Sequence, residues 1–470
     1  MTAADRITDW VETETHVWKA RTEVRPNVVI VDDVVLQWGG SHVDSPDEYH
    51  WRKGSLFIYS ETDPGNRKVE VGRRDFAIHT NGQSHLVFEG LDIRGNNTEG
   101  DETAGIYING QDVVLTDCVV QHNYYHSVRF KDGGSGQVLR TAVHDNVMGG
   151  ILANSNSGQV VIEDCDIYNN GKIAGEARDG ITAGTRAGLT VRNCRIYNNG
   201  MNGDPGKCHG IYLTGNGDQA VVESNDIWGN PTGHGIACSF GNAVIRYNKI
   251  YDNYVAGILM SNQPTDGTVQ IYYNVIFNNN YGIRVHDWRW NSATRVQILN
   301  NVIYNNNTTA FNPEPANLDV RADTRELTIV NNVIFDSQHP GRPSMIRFWK
   351  SGRVQSNLVS DHNCLYNASG SDLVEYNNAD YNFEGWQGLG QDGNSVSADP
   401  RLVNAGAQNF ALQGNSPCID RGKDVGLTRD FTGAAVPGGP TVDIGAFEFG
   451  GERDNVSPAR PKNLRARIVD

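Results

Sequence analysis

The chain has 470 residues, 38% of them apolar, so it can bury a sizeable core, while its 52 glycines suit turns better than helical packing. A formal charge of -15 without any run of Lys or Arg excludes nucleic acid as the expected partner, because phosphate binding needs a basic face. No apolar stretch approaches the roughly 20 residues of a membrane helix. The seven cysteines lack C-x-x-C spacing and define neither a disulfide framework nor a zinc site; they read as small packing residues, at least one of them free.

The first segment, residues 1–84, opens with MTAADRITDW, too polar for a signal peptide, and reads as a mature or recombinant start. Its strand-like stretches NVVIVDDVVLQW (27–38) and SLFIYSET (55–62) carry no repeat, and they are expected to form an N-terminal β cap over the first turn of a solenoid.

A repeat then organises the chain. LTDCVVQHN (115–123), IEDCDIYNN (162–170), VRNCRIYNN (191–199), VESNDIWGN (222–230), IRYNKIYDN (245–253), IYYNVIFNN (271–279), ILNNVIYNN (298–306) and IVNNVIFDS (329–337) share one motif. Its fourth position falls at Cys118, Cys165, Cys194, Asn225, Asn248, Asn274, Asn301 and Asn332, with weaker members at Gly90, Thr141 and Asn357. Nine steps span the 239 residues from Cys118 to Asn357, about 27 each, which is too short for propeller blades of roughly 40. Val/Ile/Tyr alternation replaces any helical period, so three short strands per turn with Asn/Gly corners fit best.

The pattern resembles that of the right-handed parallel β-helix superfamily of secreted carbohydrate-active enzymes, lyases and glycoside hydrolases, over residues 85–370. The resemblance implies an all-β solenoid of about ten or more coils, with the recurrent Asn residues stacked as inward ladders. Residues 371–450, with SADPRLVN, SPCIDRG and VDIGAFEFG, resemble the closing segment of bacterial secreted β-helix proteins. The linker 451–470, ending SPARPKNLRARIVD, looks like the start of a truncated fibronectin type III module, so appended modules are expected in a longer chain.

Strand alternation lets outward columns be read directly. With the isoleucine of each Gly-Ile strand inward, the residue two before it gives Gly149, Asp179, His209, His234, Ala256 and Tyr281, with His126 fitting approximately. The residue after the isoleucine gives Tyr107, Arg129, Leu152, Thr182, Tyr212, Ala237, Leu259 and Arg284; two further on lie Lys131, Ser239, Ser261 and His286, among others. Asp179, His209 and His234 are thus expected as an exposed ladder on consecutive coils. The two longest mid-repeat insertions, GKIAGEAR (171–178) and GMNGDPGK (200–207), precede Asp179 and His209 and bring Glu176, Asp204 and Lys207 nearby.

A His beside a carboxylate can move protons near neutral pH. On a uronic-acid polysaccharide, His209 or Lys207 is the expected base and Tyr212 the acid, with Arg129, Lys131, Arg284 or His234 holding the uronate, for β-elimination. Glycoside hydrolysis by Asp179 with Glu176 or Asp204 is the alternative, and a non-catalytic glycan-binding solenoid the third. His286 and Trp288 join the substrate-binding set, and Trp290 and Trp349 offer further stacking faces. No cofactor is required, although calcium or another divalent ion suits the lyase route and could use Asp179, His209 and His234. The expected location is extracellular. Exposure of the ladder implies that Asp179→Ala and His209→Ala abolish turnover but spare stability.

Overall fold

The computed structural model describes residues 1–98, 100, 102–154, 156–172, 179–184, 188–214, 219–261, 267–286, 295–306, 316–321, 326–336, 345–349, 357–368, 370 and 372–451. Glu176, Trp288, Trp290 and the linker from 452 onward lie outside the described residues.

Each coil contributes one strand to each of three sheets, and the strands stack in parallel from coil to coil. The first sheet has 13 strands, parallel from Phe76–His79 to Asp372–Tyr376 and closed by the antiparallel Ala379–Asn382. The second and third sheets have 11 strands each. The fold is a parallel β-helix, as the 27-residue repeat requires.

The register reproduces the columns read from sequence. Tyr107, Arg129, Leu152, Thr182, Tyr212, Ala237, Leu259 and Arg284 are paired neighbour to neighbour. Beside them Ile181, Ile211, Ile236, Ile258 and Ile283 stack inside and are fully buried. Each such side chain stabilises the coil by about 1.5–3 kcal/mol relative to exposure. Gly180, Gly210, Gly235, Gly257 and Gly282 precede these isoleucines because a Cβ there would press on the carbonyl of the next coil, 2.4–2.9 Å away.

Two corners per coil are set by Asn chemistry. Asn225 donates its amide to Val191 O at 3.0 Å and to Asn248 Oδ1 at 2.9 Å, while its backbone N–H donates to the same Oδ1; the pattern climbs through Asn274, Asn301 and Asn332. A second ladder runs Asn123, Asn146, Asn170, Asn199, Asn230, Asn253, Asn279, Asn306. The residue before each rung is left-handed, as at Asp164, Asn193 and Asn300, which explains the motif's preference for Asn or Asp there. The first ladder ends on Asn363, whose Oδ1 accepts the N–H of Asn332 at 2.9 Å, and not on Asn357, which is exposed. The extra length of the last coil precedes Asn363, so counting an average period lands six residues early.

The N-terminal strands form an antiparallel sheet of four strands and a mixed sheet of five, in which Gln37–Trp38 runs parallel to Glu48–Arg52, around their own core, including Val29, Leu56, Ile58 and Val71. Ala3 N–H donates to Arg94 O, and Asn97 Oδ1 accepts the N–H of Asn27, fastening this unit to the first coil. At the far end the helix Phe383–Gln387 places Trp386, 1% exposed, against the solenoid core. Residues 402–446 then run back along the outside, where Leu402, Phe410, Cys418 and Ile444 pack on Val302, Val333 and Cys364.

Candidate functional site

Asp179, His209 and His234 are brought together on successive coils, but they are buried, 1%, 5% and 3% exposed, not exposed as the strand alternation suggests. Asp179 and His209 bond the coil above them, while His234 is buried with its Nδ1 unbonded. Asp179 Oδ1 accepts the backbone N–H of His209 at 2.7 Å, and its Oδ2 accepts the Thr182 hydroxyl at 2.7 Å. His209 Nδ1 in turn accepts the backbone N–H of His234 at 3.3 Å. These side chains link one coil's backbone to the next, as the Asn ladders do at the corners. Burial pushes His209 down to about 3, and His234 is also held well below its usual value, by burial first and then by its neighbours His209, Arg284 and His286. A histidine held neutral by desolvation, with Nδ1 already occupied, is a poor base at neutral pH.

The remaining members of that set are dispersed. Tyr212 is half-buried, its ring 5.2 Å from that of His209 in an edge-on contact. Lys207 is exposed and pairs with Asp204 at 3.9 Å within the same turn, an arrangement worth little at a surface. Arg129, 1% exposed, donates to Gly100 O at 2.8 Å and lies over Tyr125, so it serves the neighbouring loop; Lys131 is half-buried on the same coil. Among the described residues no group of three or more His, Cys, Asp or Glu side chains is arranged to hold a metal ion.

The column that carries Tyr212 continues beyond Arg284 to Asp319, Arg347 and Glu375. Here polar groups bond one another. Asp319, 0% exposed, accepts from Arg284 Nε at 3.1 Å and Arg321 Nε at 2.7 Å on one oxygen, and from Trp349 Nε1 at 2.6 Å on the other. Arg347 Nε donates to Glu375 at 2.7 Å. Arg321 stacks 4.0 Å from the Trp349 ring centroid, and Arg284 4.7 Å from that of Tyr281. Among the described residues the guanidiniums of Arg284, Arg321 and Arg347 face the carboxylates of Asp319 and Glu375.

His286 is half-buried two residues along the strand from Arg284, beside Ser261 in register, and Ser261 meets Ser239 at 3.1 Å. Trp349 is 36% exposed at the edge of the patch. Sequence reading finds Arg284, His286 and Trp349 here but misses Asp319, Arg321, Arg347 and Glu375. The signal exists: ANLDV (316–320) and MIRF (345–348) keep the alternation, but the Gly-Ile dipeptide that marks the earlier coils is absent from both.

The sequence model of the family described as a right handed beta helix region matches residues 76–217 and 173–295. No curated protein matches the chain. Among solved structures, a complex of XylC with xylose shares the fold at 12% identity and a TM-score of 0.54, covering 96% of this chain and 88% of that one. Pectate lyase Pel9A is similar at 13% identity and a TM-score of 0.48, over 79% and 97% of the two chains. A glycoside hydrolase follows at 11% and 0.36, over 78% and 80%. The chain is thus a right-handed parallel β-helix; at such identities the likeness is one of fold alone.

Proposed function

We propose that the protein is an extracellular polysaccharide-degrading enzyme whose substrate lies on the outer face of the first sheet, across the coils of Arg284, Asp319, Arg347 and Glu375. The observation that carries this reading is the arginine-rich patch with Trp349 at its edge, a chemistry suited to an anionic sugar ring. β-Elimination on a uronic-acid glycan is the preferred reaction. The His286 imidazole takes the C5 proton, Arg321, the most exposed of the three guanidiniums, holds the carboxylate as the enolate forms with Arg284 and Arg347 buried behind it, and the C4–O4 bond breaks with O4 taking a proton from solvent. Asp319 holds Arg284 and Arg321 in position.

One observation favours hydrolysis as a second reading. Asp319 and Glu375 stand two coils apart in one column, a backbone separation of about 9.6 Å, near the upper bound for inverting carboxylate pairs. Each carboxylate already faces a guanidinium, which suits anchoring more than proton delivery. A panel of uronic-acid and neutral polysaccharides, followed for ultraviolet-absorbing unsaturated product and for reducing ends, separates the two. Elimination yields both signals; reducing ends without absorbance would establish hydrolysis, and neither signal would leave a glycan-binding solenoid.

A further inference from the structure

The five-stranded sheet of the N-terminal unit has two unlike faces. One turns Ala20, Tyr49, Leu56 and Ile58 into the core of that unit, and all four are buried. Alternation sends the residues between them to the opposite face. Arg21, Ser55 and Arg52 stand there in register across three strands, and Lys19, Phe57 and His50 form the next row, followed by Val17 and Tyr59. Lys19, Arg21 and Arg52 are exposed, whereas Phe57, His50 and Tyr59 are half-buried.

The rings on this face are connected. Lys19 Nζ lies 6.0 Å from the Phe57 centroid, the Phe57 and His50 rings are 5.8 Å apart, and those of His50 and Trp38 are 5.4 Å apart. Trp38, 43% exposed, has the Arg25 guanidinium 4.6 Å from its centroid, and His50 Nδ1 donates to Gly40 O at 2.5 Å, which fixes its ring. The cations are not spent on ion pairs. Those of the unit join Arg67 and Lys68 to Asp32, Asp33 and Glu70, and Arg73 and Arg74 to Asp5; among the described residues none takes Lys19, Arg21, Arg25 or Arg52. Carboxylates gather at the other end of the sheet, where Glu14 is in register with Val17 and Glu48 accepts the Asp44 N–H at 3.1 Å. Three like charges within two rows repel one another and do nothing for the fold, so their use is external.

We propose that this face is a second glycan-binding site, for a polysaccharide that bears carboxylates. Phe57, Tyr59 and Trp38 offer apolar ring surface to the sugars, while Arg21 and Arg52, on either side of Ser55, and Lys19 in the adjoining row meet the carboxylates. The unit is fastened to the first coil, and the strand of Arg284 is the ninth of the first sheet, eight steps on (nine minus one), or about 38 Å. A long polymer spans that distance and a short oligosaccharide does not, so this face raises the local concentration of polymer for the solenoid patch. The inference rests on the uronic-acid reading of the substrate, but not on where along the solenoid that substrate is cleaved.

Native electrophoresis of the full-length protein through gels containing sodium polygalacturonate or sodium alginate, each compared with a polymer-free gel, tests the assignment. At least one of the two polymers should retard the parent chain, and the triple variant Lys19→Gln, Arg21→Gln, Arg52→Gln, checked for folding by its thermal melt, should need at least about tenfold more of it for the same retardation. The same three changes should cost as much in an Arg321→Gln background, where only this face is left intact beforehand. Retardation of the parent should fade as salt is added. Loss in the triple variant with none in Arg321→Gln would support this face while removing the glycan from the solenoid patch. Equal retardation of parent and triple variant, retardation as strong by poly-glutamate, which carries carboxylates without sugar rings, or no retardation of the parent by either polymer would overturn the proposal.

Discussion

Two stretches of the same sheet present polar side chains away from the core, and they differ in what those side chains bond. Around Asp179 and His209 the partners are the backbone N–H groups of His209 and His234 on the next coil, so these side chains complete the stacking of the solenoid. Around Arg284, Asp319, Arg321 and Arg347 the partners are other side chains. A column of His and Asp is therefore not in itself a site. What distinguishes a site is polar functionality that the backbone does not consume.

Breaking the upper cluster should have the largest effect. Asp319→Ala leaves two guanidiniums facing each other in a buried setting and is expected to cost about 3–5 kcal/mol, visible as a fall in the urea midpoint. A loss below about 1 kcal/mol, the scale of an exposed pair, would show that Arg284 and Arg321 do not depend on Asp319.

The ladder comes next. Asp179→Ala orphans the buried N–H of His209 and removes the Thr182 contact, for an expected loss of about 1–3 kcal/mol, while turnover of the folded protein is unchanged. This reverses the expectation drawn from the sequence, in which the same substitution abolishes turnover and spares stability. Abolished turnover with an unshifted unfolding midpoint would restore that expectation.

At neutral pH the smallest effect is the titration of His209. Burial lowers it from 6.5 to about 3, so the folded chain keeps it neutral where the unfolded chain is protonated. Its contribution is complete above pH 6.5, declines as the pH falls from about 6.5 to about 3, and levels off below. Comparing the pH dependence of unfolding between the parent and His209→Gln isolates it; identical slopes over that window would contradict the burial argument.

The solenoid is legible in the sequence because its physics is periodic. The inward isoleucines, the outward columns and the Asn rungs all follow from strand alternation and one corner motif, and the register matches them residue by residue up to Arg284. Legibility fails in two places for physical reasons. An average period selects Asn357 over Asn363 because it cannot see an unequal coil. Alternation predicts exposure for Asp179, His209 and His234 because it tells which way a side chain leaves the strand, not whether a backbone N–H above it captures the polar atom. The upper cluster escapes notice because Asn317-Leu318 and Met345-Ile346 stand where the Gly-Ile dipeptide marks earlier coils.

The central claim is that glycan chemistry belongs to the coils of Arg284 to Glu375. Calorimetric titration of a uronic-acid oligosaccharide into Arg321→Gln and Asp179→Asn, both checked for folding, tests it most directly. Arg321→Gln should weaken binding at least about tenfold, the loss of roughly 1.4 kcal/mol expected for one charge-assisted contact, while Asp179→Asn binds like the parent. Undiminished affinity in Arg321→Gln together with a tenfold loss in Asp179→Asn would return the site to the ladder.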